Sequence, residues 1–385
     1  MLDRIISHRL GKAKKSVLLL GARQVGKSTL LKSLGPDLYI NLADEELFLS
    51  YSKDPGRLKR EILALQKKSV IVVDEVQRVP SLLNSIQALI DFGVPHRFLM
   101  TGSSARKLKR GGANLLPGRI LLEHLDPLSV WEMEKHFDLE KALTRGMLPG
   151  VYFDDAEGLE ILDSYVNTYL REEIQSEAVS KNLGSYARFL DAAAIESGRW
   201  LNYSKVASDT EIPKETIRRY YQVLEDTLLA FRIPSYQSKK HDRRVAQKDR
   251  YLLFDVGVRN ALLKIHRSRM SETERGIIFE QWMILQCLYF IRSFKKDWTL
   301  YSYRSDGGAE VDLIIETHKE LIAIECKYGK VVTQAQLRGL TSFEEIADKP
   351  VKKFVVYRGE TRQFFNNKVV VEPFLKFLLK TLPGF

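Results

Sequence analysis

Hydrophobic positions along this chain of 385 residues fall into three kinds of pattern. The first is the short unbroken apolar run. Val17 to Leu20, Val70 to Val73 and the centre of "HRFLMTGSS" are continuous, and each ends in polar residues. Such runs suit parallel strands buried on both faces, with function at their carboxyl edge, so they predict an open α/β sheet in the first third. The second pattern is helical. "VWEMEKHFDLEKALTRGMLPG" and "EILDSYVNTYLREEIQ" read as helices of a small lid. A short helix over about Tyr203 to Ser208 then leads, through a turn at Pro213, into a longer helix from Lys214 to Leu229. There Ile217, Tyr221, Leu224 and Leu228 recur at i, i+4, i+7 and i+11 as one apolar stripe, with Lys214, Arg218, Arg219 and Gln222 largely away from it. The third pattern begins near residue 272. A helix, "ETERGIIFEQWMILQCLYFIRS", precedes the strand-like runs "WTLYSYRS", "AEVDLIIET" and "ELIAIECKYG", then a helical segment near "TQAQLRGLTSFEEI" and the strand "VKKFVVYRG". "SDGG" between the first two runs is a turn signal and predicts a hairpin.

The middle pattern is that of a helix-turn-helix with a basic outer face, followed by a basic wing-like segment. It predicts duplex DNA contact through Lys214, Arg218, Arg219, Lys239, Lys240, Arg243 and Arg244. The other reading is a winged helix used only for packing between subunits or domains, since fold alone does not settle function.

Composition adds bounds rather than chemistry. The chain is 44% hydrophobic and 28% charged, as ordinary globular proteins are. Its length calls for more than one core. No apolar run approaches the ~20 residues of a membrane span, and the N-terminus lacks a secretory h-region. Cys287 and Cys326 are too few for a disulfide framework or a structural zinc, which points to a reduced cytoplasm. The net charge of +11 is clustered. Residues 232–250 hold seven Lys/Arg against two Asp, and residues 103–119 hold five Lys/Arg and no acid. Clustered cations suit a polyanion such as DNA, or equally a solvated loop.

"SVLLLGARQVGKSTLLKSLG" matches G-x-x-x-x-G-K-[ST] from Gly21 to Ser28, in the strand–loop–helix setting the motif requires. Backbone N–H groups of such a loop (Gly21, Gln24, Val25, Gly26) cradle the phosphates of ATP. Lys27 would reach the β/γ-phosphates, Ser28 would bind Mg²⁺ and Thr29 would lie near the α-phosphate. In "SVIVVDEVQRVP", Asp74 would hold Mg²⁺ through water and Glu75 would polarise the attacking water. Thr101, Ser103 or Ser104 would sense the γ-phosphate or the water.

"GARQVGKSTLL", "VVDEVQRVP", "LMTGSSARKL" and "LLPGRI" resemble the AAA-type ATPases of bacteria and archaea (the AAA_14 group). That group carries a C-terminal DUF4143 region, and the resemblance continues through "YLREEIQ" and "LLFDVGVRNALL" to the chain end. The group is similar to the STAND/AAA+ branch, in which a GxP-type motif touches the adenine. "GMLPGVY" puts Gly146 and Pro149 in that place, one residue longer than the strict form. The resemblance also implies an arginine supplied by a neighbouring subunit, hence a homo-oligomer. Arg119 is the first candidate and Arg106 the second, and either would serve equally as a surface or DNA-contacting residue.

The C-terminal order α-β-β-β-α-β, with Asp312 and then Glu325-x-Lys327, resembles the PD-(D/E)xK nucleases. Glu280 on the preceding helix completes the usual set. Alternation along a strand puts Glu325 and Lys327 on one face and Cys326 on the other. Asp312 on the adjacent strand would meet Glu325 around Mg²⁺, and Lys327 would orient or deprotonate the attacking water. Cleavage of DNA and a retained binding or docking role both stay open. The expected architecture is a multidomain α/β protein. It comprises a P-loop AAA-type core (1–135), a helical lid (136–182), a winged helix (183–262) and a restriction-endonuclease-like domain (263–385). The expected function is ATP hydrolysis coupled to remodelling or processing duplex or branched DNA. The alternative is a nucleotide-gated switch whose C-terminal domain docks a partner without cutting.

Overall fold

The computed structural model describes residues 2–103, 118–170, 183–238, 248–365 and 368–385. Within them the chain forms two compact units, Met1–Leu128 with Val223–Leu229, and Ser129–Gln222 with Ala230–Phe385.

The first unit is built on the unbroken apolar runs. β1 (Ser16–Leu20), β2 (Leu38–Asn41), β3 (Val70–Asp74), β4 (Arg97–Gly102) and β5 (Ile120–His124) make one sheet in the order β2-β3-β4-β1-β5. Every pairing in it is parallel. Leu18, Leu20, Ile71, Val73, Phe98 and Met100 from these strands share a core with Ile86 and Leu89 of the helix Ser81–Asp91. Because β1, β4 and β3 are neighbours, their polar carboxyl ends emerge side by side. α1 (Lys27–Ser33) starts directly after the β1 loop.

The second unit begins with short helices, Val130–Met133, Leu139–Arg145, Pro149–Tyr152 and Gly158–Ser164. Then come α2 (Leu183–Glu196), α3 (Tyr203–Thr210) and α4 (Lys214–Asp226), whose residues from Val223 on belong to the first unit, followed by the antiparallel pair β6 (Ala230–Ile233) and β7 (Arg250–Leu253). A single bridge also pairs Trp200 with Arg250. The expected stripe is buried at Ile217, Tyr221 and Leu224. The helix, however, ends at Asp226 rather than Leu229, and Leu228 has φ 60°. A bulky residue in the left-handed region stops a helix, although its spacing continues the periodicity.

α5 (Val256–Leu262) and the 22-residue α6 (Glu272–Ser293) lead into the second sheet, and α6 is started by a capping box of Ser271 and Glu274. That sheet runs β12 (Gln363–Phe365), β13 (Val369–Pro373), β11 (Val351–Tyr357), β10 (Leu321–Lys327), β9 (Glu310–Glu316) and β8 (Thr299–Arg304). β8, β9 and β10 are antiparallel, while β10–β11 and β11–β13 are parallel. α7 (Arg338–Ile346) crosses between β10 and β11, and its Leu340 and Phe343 pack with Val311, Ile314, Ala323 and Val355. The expected hairpin turn is present at Ser305–Ala309, with Gly308 at φ 77° supplying the left-handed residue. Both cysteines are buried free thiols. Among the described residues no helix is long and apolar enough to cross a membrane.

Candidate functional site

The first unit gathers the residues expected to bind a nucleotide. Gln24 (φ 62°) and Gly26 (φ 96°) bend the loop so that α1 can start at Lys27. A Cβ on Gly21 would lie 2.3 Å from the Leu125 carbonyl oxygen, so the chain passes there only without a side chain. Arg4, which sequence patterning did not single out, braces this loop: its guanidinium donates to the carbonyls of Val25 (2.7 Å) and Asp126 (2.6 Å). The Lys27 ammonium is buried and donates to the Gly21 and Ala22 carbonyls at 2.9 and 2.8 Å. It is curled over the loop that would receive phosphates. Ser28 is half-buried and Thr29 exposed.

Asp74 ends β3 and is 3% exposed. Thr101 and Tyr39 donate hydroxyl hydrogen bonds to its two oxygens. Ser28 lies beside the Tyr39 hydroxyl and works against the upward shift of its phenol. Burial, then the hydrogen bond to Asp74, pushes the Tyr39 phenol well up, so it remains a donor. The Ser28 hydroxyl and the Asp74 carboxylate are thus within reach of one small group. They offer the hard oxygen donors that Mg²⁺ takes, and the arrangement fits that ion. Glu75 has φ 58° and ψ 42°, and its N–H donates to Thr101 Oγ1 at 2.8 Å. Its carboxylate accepts from Gln77 Nε2, which also donates to Ser103 Oγ at 3.1 Å. Arg119 pairs with Asp91 at 2.6 Å, both partly exposed. Ser104 and Arg106 lie outside the described residues.

Gly146 and Pro149 belong to the second unit. Pro149 opens its short helix, and Gly146 (φ 77°) is required because a Cβ there would meet the Asp255 carboxylate at 2.0 Å. Asp255 accepts the Met147 N–H at 2.7 Å and caps α5 through the Val258 N–H at 3.1 Å. Burial nonetheless lifts its carboxyl to about 6.

At the carboxyl end of β10, alternation puts Glu325 and Lys327 on one face, joined at 2.6 Å. Asp312 on β9 accepts the Cys326 N–H at 2.8 Å, just where the β9–β10 ladder opens. Burial, followed by the negative charges of Glu280 and Glu325, holds the Asp312 carboxyl well above the usual carboxylate range. Burial also raises Glu325, against Lys327. For Lys327, burial alone would lower the pKa, but Glu325 and Asp312 outweigh it. Glu280 therefore joins this cluster, but with a carboxylate oxygen held by Arg250. Arg250 lies inside the basic segment read as wing-like, yet it is buried. It donates to the Gly198 carbonyl at 2.7 Å and the Asp312 carbonyl at 2.9 Å, and lies over the Trp200 ring. Its one available signal is that it opens the apolar run "RYLLF". Glu325 Oε2 is buried without a hydrogen-bond partner, and with Asp312 it offers the oxygen chemistry of one divalent cation. Among the described residues no three His, Cys, Asp or Glu side chains are gathered to hold a metal.

Of the expected DNA-facing residues, Lys214, Arg218 and Arg219 are exposed on α4. Arg218 pairs with Glu215 at 3.1 Å and lies over the Tyr203 ring. Lys239, Lys240, Arg243 and Arg244 are outside the described residues.

Residues 13–134 match an AAA domain, residues 136–269 a domain of unknown function (DUF8612), and residues 275–377 a domain of unknown function (DUF4143). An uncharacterized protein of Mycobacterium tuberculosis is 26% identical over 369 residues, which cover 93% of this chain and 79% of that protein. One of Methanocaldococcus jannaschii is 25% identical over 383 residues, covering 85% and 78%. Among solved structures, a STAND (signal transduction ATPase with numerous domains) protein with a tetratricopeptide repeat sensor from Pyrococcus horikoshii aligns at TM-score 0.29 and 15% identity. That alignment covers 77% of this chain, and the chain spans about half (47%) of that protein. AMPPCP-bound DnaA from Aquifex aeolicus aligns at TM-score 0.26 and 12% identity, covering 57% and 84%. The chain carries an AAA-type ATPase domain at its N-terminal end and a DUF4143 region at its C-terminal end.

Proposed function

We propose that this chain, an AAA domain ahead of a DUF4143 region, is an Mg²⁺-dependent ATPase that couples hydrolysis to work on duplex or branched DNA. The observation that carries the reading is the convergence of Lys27, Asp74, Glu75 and Ser103 at the carboxyl ends of three neighbouring parallel strands. In hydrolysis Lys27 leaves the Gly21 and Ala22 carbonyls for the phosphates, and its positive charge follows the charge that develops there. Glu75 takes the proton of the attacking water, and Ser103 holds a γ-phosphate oxygen. Ser28 and Asp74 would hold Mg²⁺, which when bound would offset the negative charge of the phosphates. A neighbouring copy supplies the completing arginine, Arg119 or Arg106, so the working form is a homo-oligomer. The divisions at 135, 182 and 262 separate core, lid, winged helix and nuclease-like domain, and the chain works in the cytoplasm.

Support for DNA comes from α2, the Trp200 bridge, α3, α4 and the β6–β7 pair, in the order of a winged helix with Lys214, Arg218 and Arg219 exposed on α4. In the C-terminal domain the α-β-β-β-α-β order with Asp312, Glu325 and Lys327 supports a nuclease-like site, in which Lys327 orients the water. The second reading, a non-cleaving docking module, is favoured by one observation. Arg250 already pairs with Glu280, so the chain's own cation balances part of the acidic set.

The test is a panel of duplex, single-stranded, forked and four-way DNA with Mg²⁺ and ATP, comparing wild type with Lys27→Ala, Asp312→Ala and Lys327→Ala. ATP turnover stimulated by DNA and lost in Lys27→Ala is expected. Cleavage lost in Lys327→Ala supports the nuclease. Substrates equally intact with wild type and Lys327→Ala, in Mg²⁺ and in Mn²⁺, leave the docking reading. Turnover indifferent to every DNA would sink the motor.

A further inference from the structure

Gln77 has no part in the roles assigned above, yet it joins two residues that do. It follows Glu75 in the single turn Val76–Arg78 and is 7% exposed. Its side-chain amide donates to the Glu75 carboxylate and, at 3.1 Å, to Ser103 Oγ. Only one amide orientation serves, because the reverse would set a carbonyl oxygen against a carboxylate. That orientation leaves Gln77 Oε1 buried without a partner. A buried carbonyl without a partner is unfavourable, and packing alone would be served by an apolar side chain of similar size. The arrangement is therefore explained by what Nε2 does.

We propose that Gln77 is a positioning residue for ATP hydrolysis, fixing the Glu75 carboxylate and tying it to Ser103. The inference rests on the ATPase reading above. The Glu75 backbone is already held by its N–H bond to Thr101, which leaves the side chain as the remaining freedom. Gln77 removes that freedom by occupying Oε2, so Oε1 faces the water. In the step it serves, the water oxygen bonds to the γ-phosphorus and Glu75 Oε1 takes the water proton. The bond from the γ-phosphorus to the bridging oxygen breaks, and ADP leaves with its electron pair. Ser103 accepts from Gln77 through an oxygen lone pair, so this bond does not use the proton that Ser103 would donate to a γ-phosphate oxygen. One amide thus orients the base relative to the group that recognises the γ-phosphate.

The experiment measures kcat and KM for ATP, nucleotide affinity and thermal midpoint for the full chain and for Gln77→Met, which keeps the volume and removes both donors. The expected result is a kcat lower by about 10²-fold, as misplacing a reacting group gives, with nucleotide affinity within about threefold of wild type. Gln77→Met added to Glu75→Gln should give no further loss, since residues acting as a unit are not additive. Should Gln77→Met not fold, Gln77→Glu is the near-isosteric replacement that cannot donate when ionised, and the same loss is expected. An unchanged or raised kcat, or a full further loss on top of Glu75→Gln, overturns the proposal. The two failures are distinguishable. If Glu75→Gln and Lys27→Ala hydrolyse ATP like wild type, the ATPase reading itself is wrong. If both are silent while Gln77→Met and Gln77→Glu turn over normally, only the role of Gln77 falls.

Discussion

At the proposed nucleotide site the buried carboxylate of Asp74 is met by two hydroxyls, from Tyr39 and Thr101. At the C-terminal cluster Glu280 and Glu325 are met instead by the guanidinium of Arg250 and the ammonium of Lys327. Asp74 and Glu325 both sit at strand ends, but hydroxyls leave a carboxylate its charge whereas ion pairs offset it. The first arrangement is poised to take a cation from solution together with a polyanion. In the second, an added cation shares its ligands with cations built into the chain. The same residue types therefore carry different expectations, decided by what lies opposite them.

The largest effect tests the poised side. Lys27→Ala removes the ammonium that would follow the phosphates, and loss of one such donor lowers kcat by about 10²–10³-fold. Lys27 donates to the Gly21 and Ala22 carbonyls of its own loop, and the fold should survive the truncation, with a thermal midpoint near wild type. Steady-state ATP turnover beside a melting curve checks both halves. A collapse of the fold would show that Lys27 supports the loop rather than the phosphates.

The self-balanced side is broken by Arg250→Met. Glu280 would be left without its partner beside Asp312 and Glu325; removing one member of a fully buried pair costs about 3–5 kcal/mol, and less is expected here because Glu280 is 25% exposed. Urea unfolding reads this as a lower midpoint. Glu280→Gln in the same chain should restore much of it, because the uncompensated charge goes too. A small loss in Arg250→Met, or no restoration, would mean that the pair does not balance the cluster.

pH sharpens the same contrast. The Asp312 carboxyl is raised above its unfolded value by burial and by Glu280 and Glu325. A raised carboxyl contributes its stability in full below the unfolded pKa of about 4 and loses it as pH rises through the folded pKa. Asp312→Asn keeps an acceptor for the Cys326 N–H and cannot ionise. It should therefore be more stable than wild type at neutral pH, with the difference closing as pH falls toward 4. Chemical denaturation across that range tests it, and a variant less stable than wild type at every pH would reverse the sign.

How far the chain's pattern foretold these sites follows from their sequence separation. The Gly21–Ser28 loop is eight contiguous residues, and Asp74 and Glu75 close a continuous apolar run, so their placement at a strand end was legible. Tyr39, Gln77 and Arg4 were not, because their partners are brought by other strands and a single polar residue carries no periodicity. Arg250 was hidden differently. It stands in a run of cations, and burial separates it from the exposed Arg232 and Lys248. "GMLPG" was read through a resemblance, while its glycine is accounted for by the approach of Asp255, more than a hundred residues away. Leu228 shows the limit of spacing itself, since it fits the stripe at i+11 and lies beyond the helix.

The smallest expected effect bears most directly on why hydroxyls line Asp74. Tyr39→Phe deletes the hydroxyl that donates to Asp74 and leaves the ring on β2. Without nucleotide, Asp74 loses one of its two hydroxyl donors, and a hydrogen bond to a charged group contributes about 1.5–3 kcal/mol, less where water can enter. With Mg²⁺ and ATP present, water bound to the metal can donate to the same carboxylate oxygen, so the deficit should shrink. The prediction is a difference of differences: the midpoint gap between wild type and Tyr39→Phe narrows on adding Mg²⁺ and ATP, by no more than a few degrees. Equal gaps in both conditions would mean that the phenol and the metal do not share Asp74. The contrast between a poised and a self-balanced carboxylate would then lose its nucleotide half.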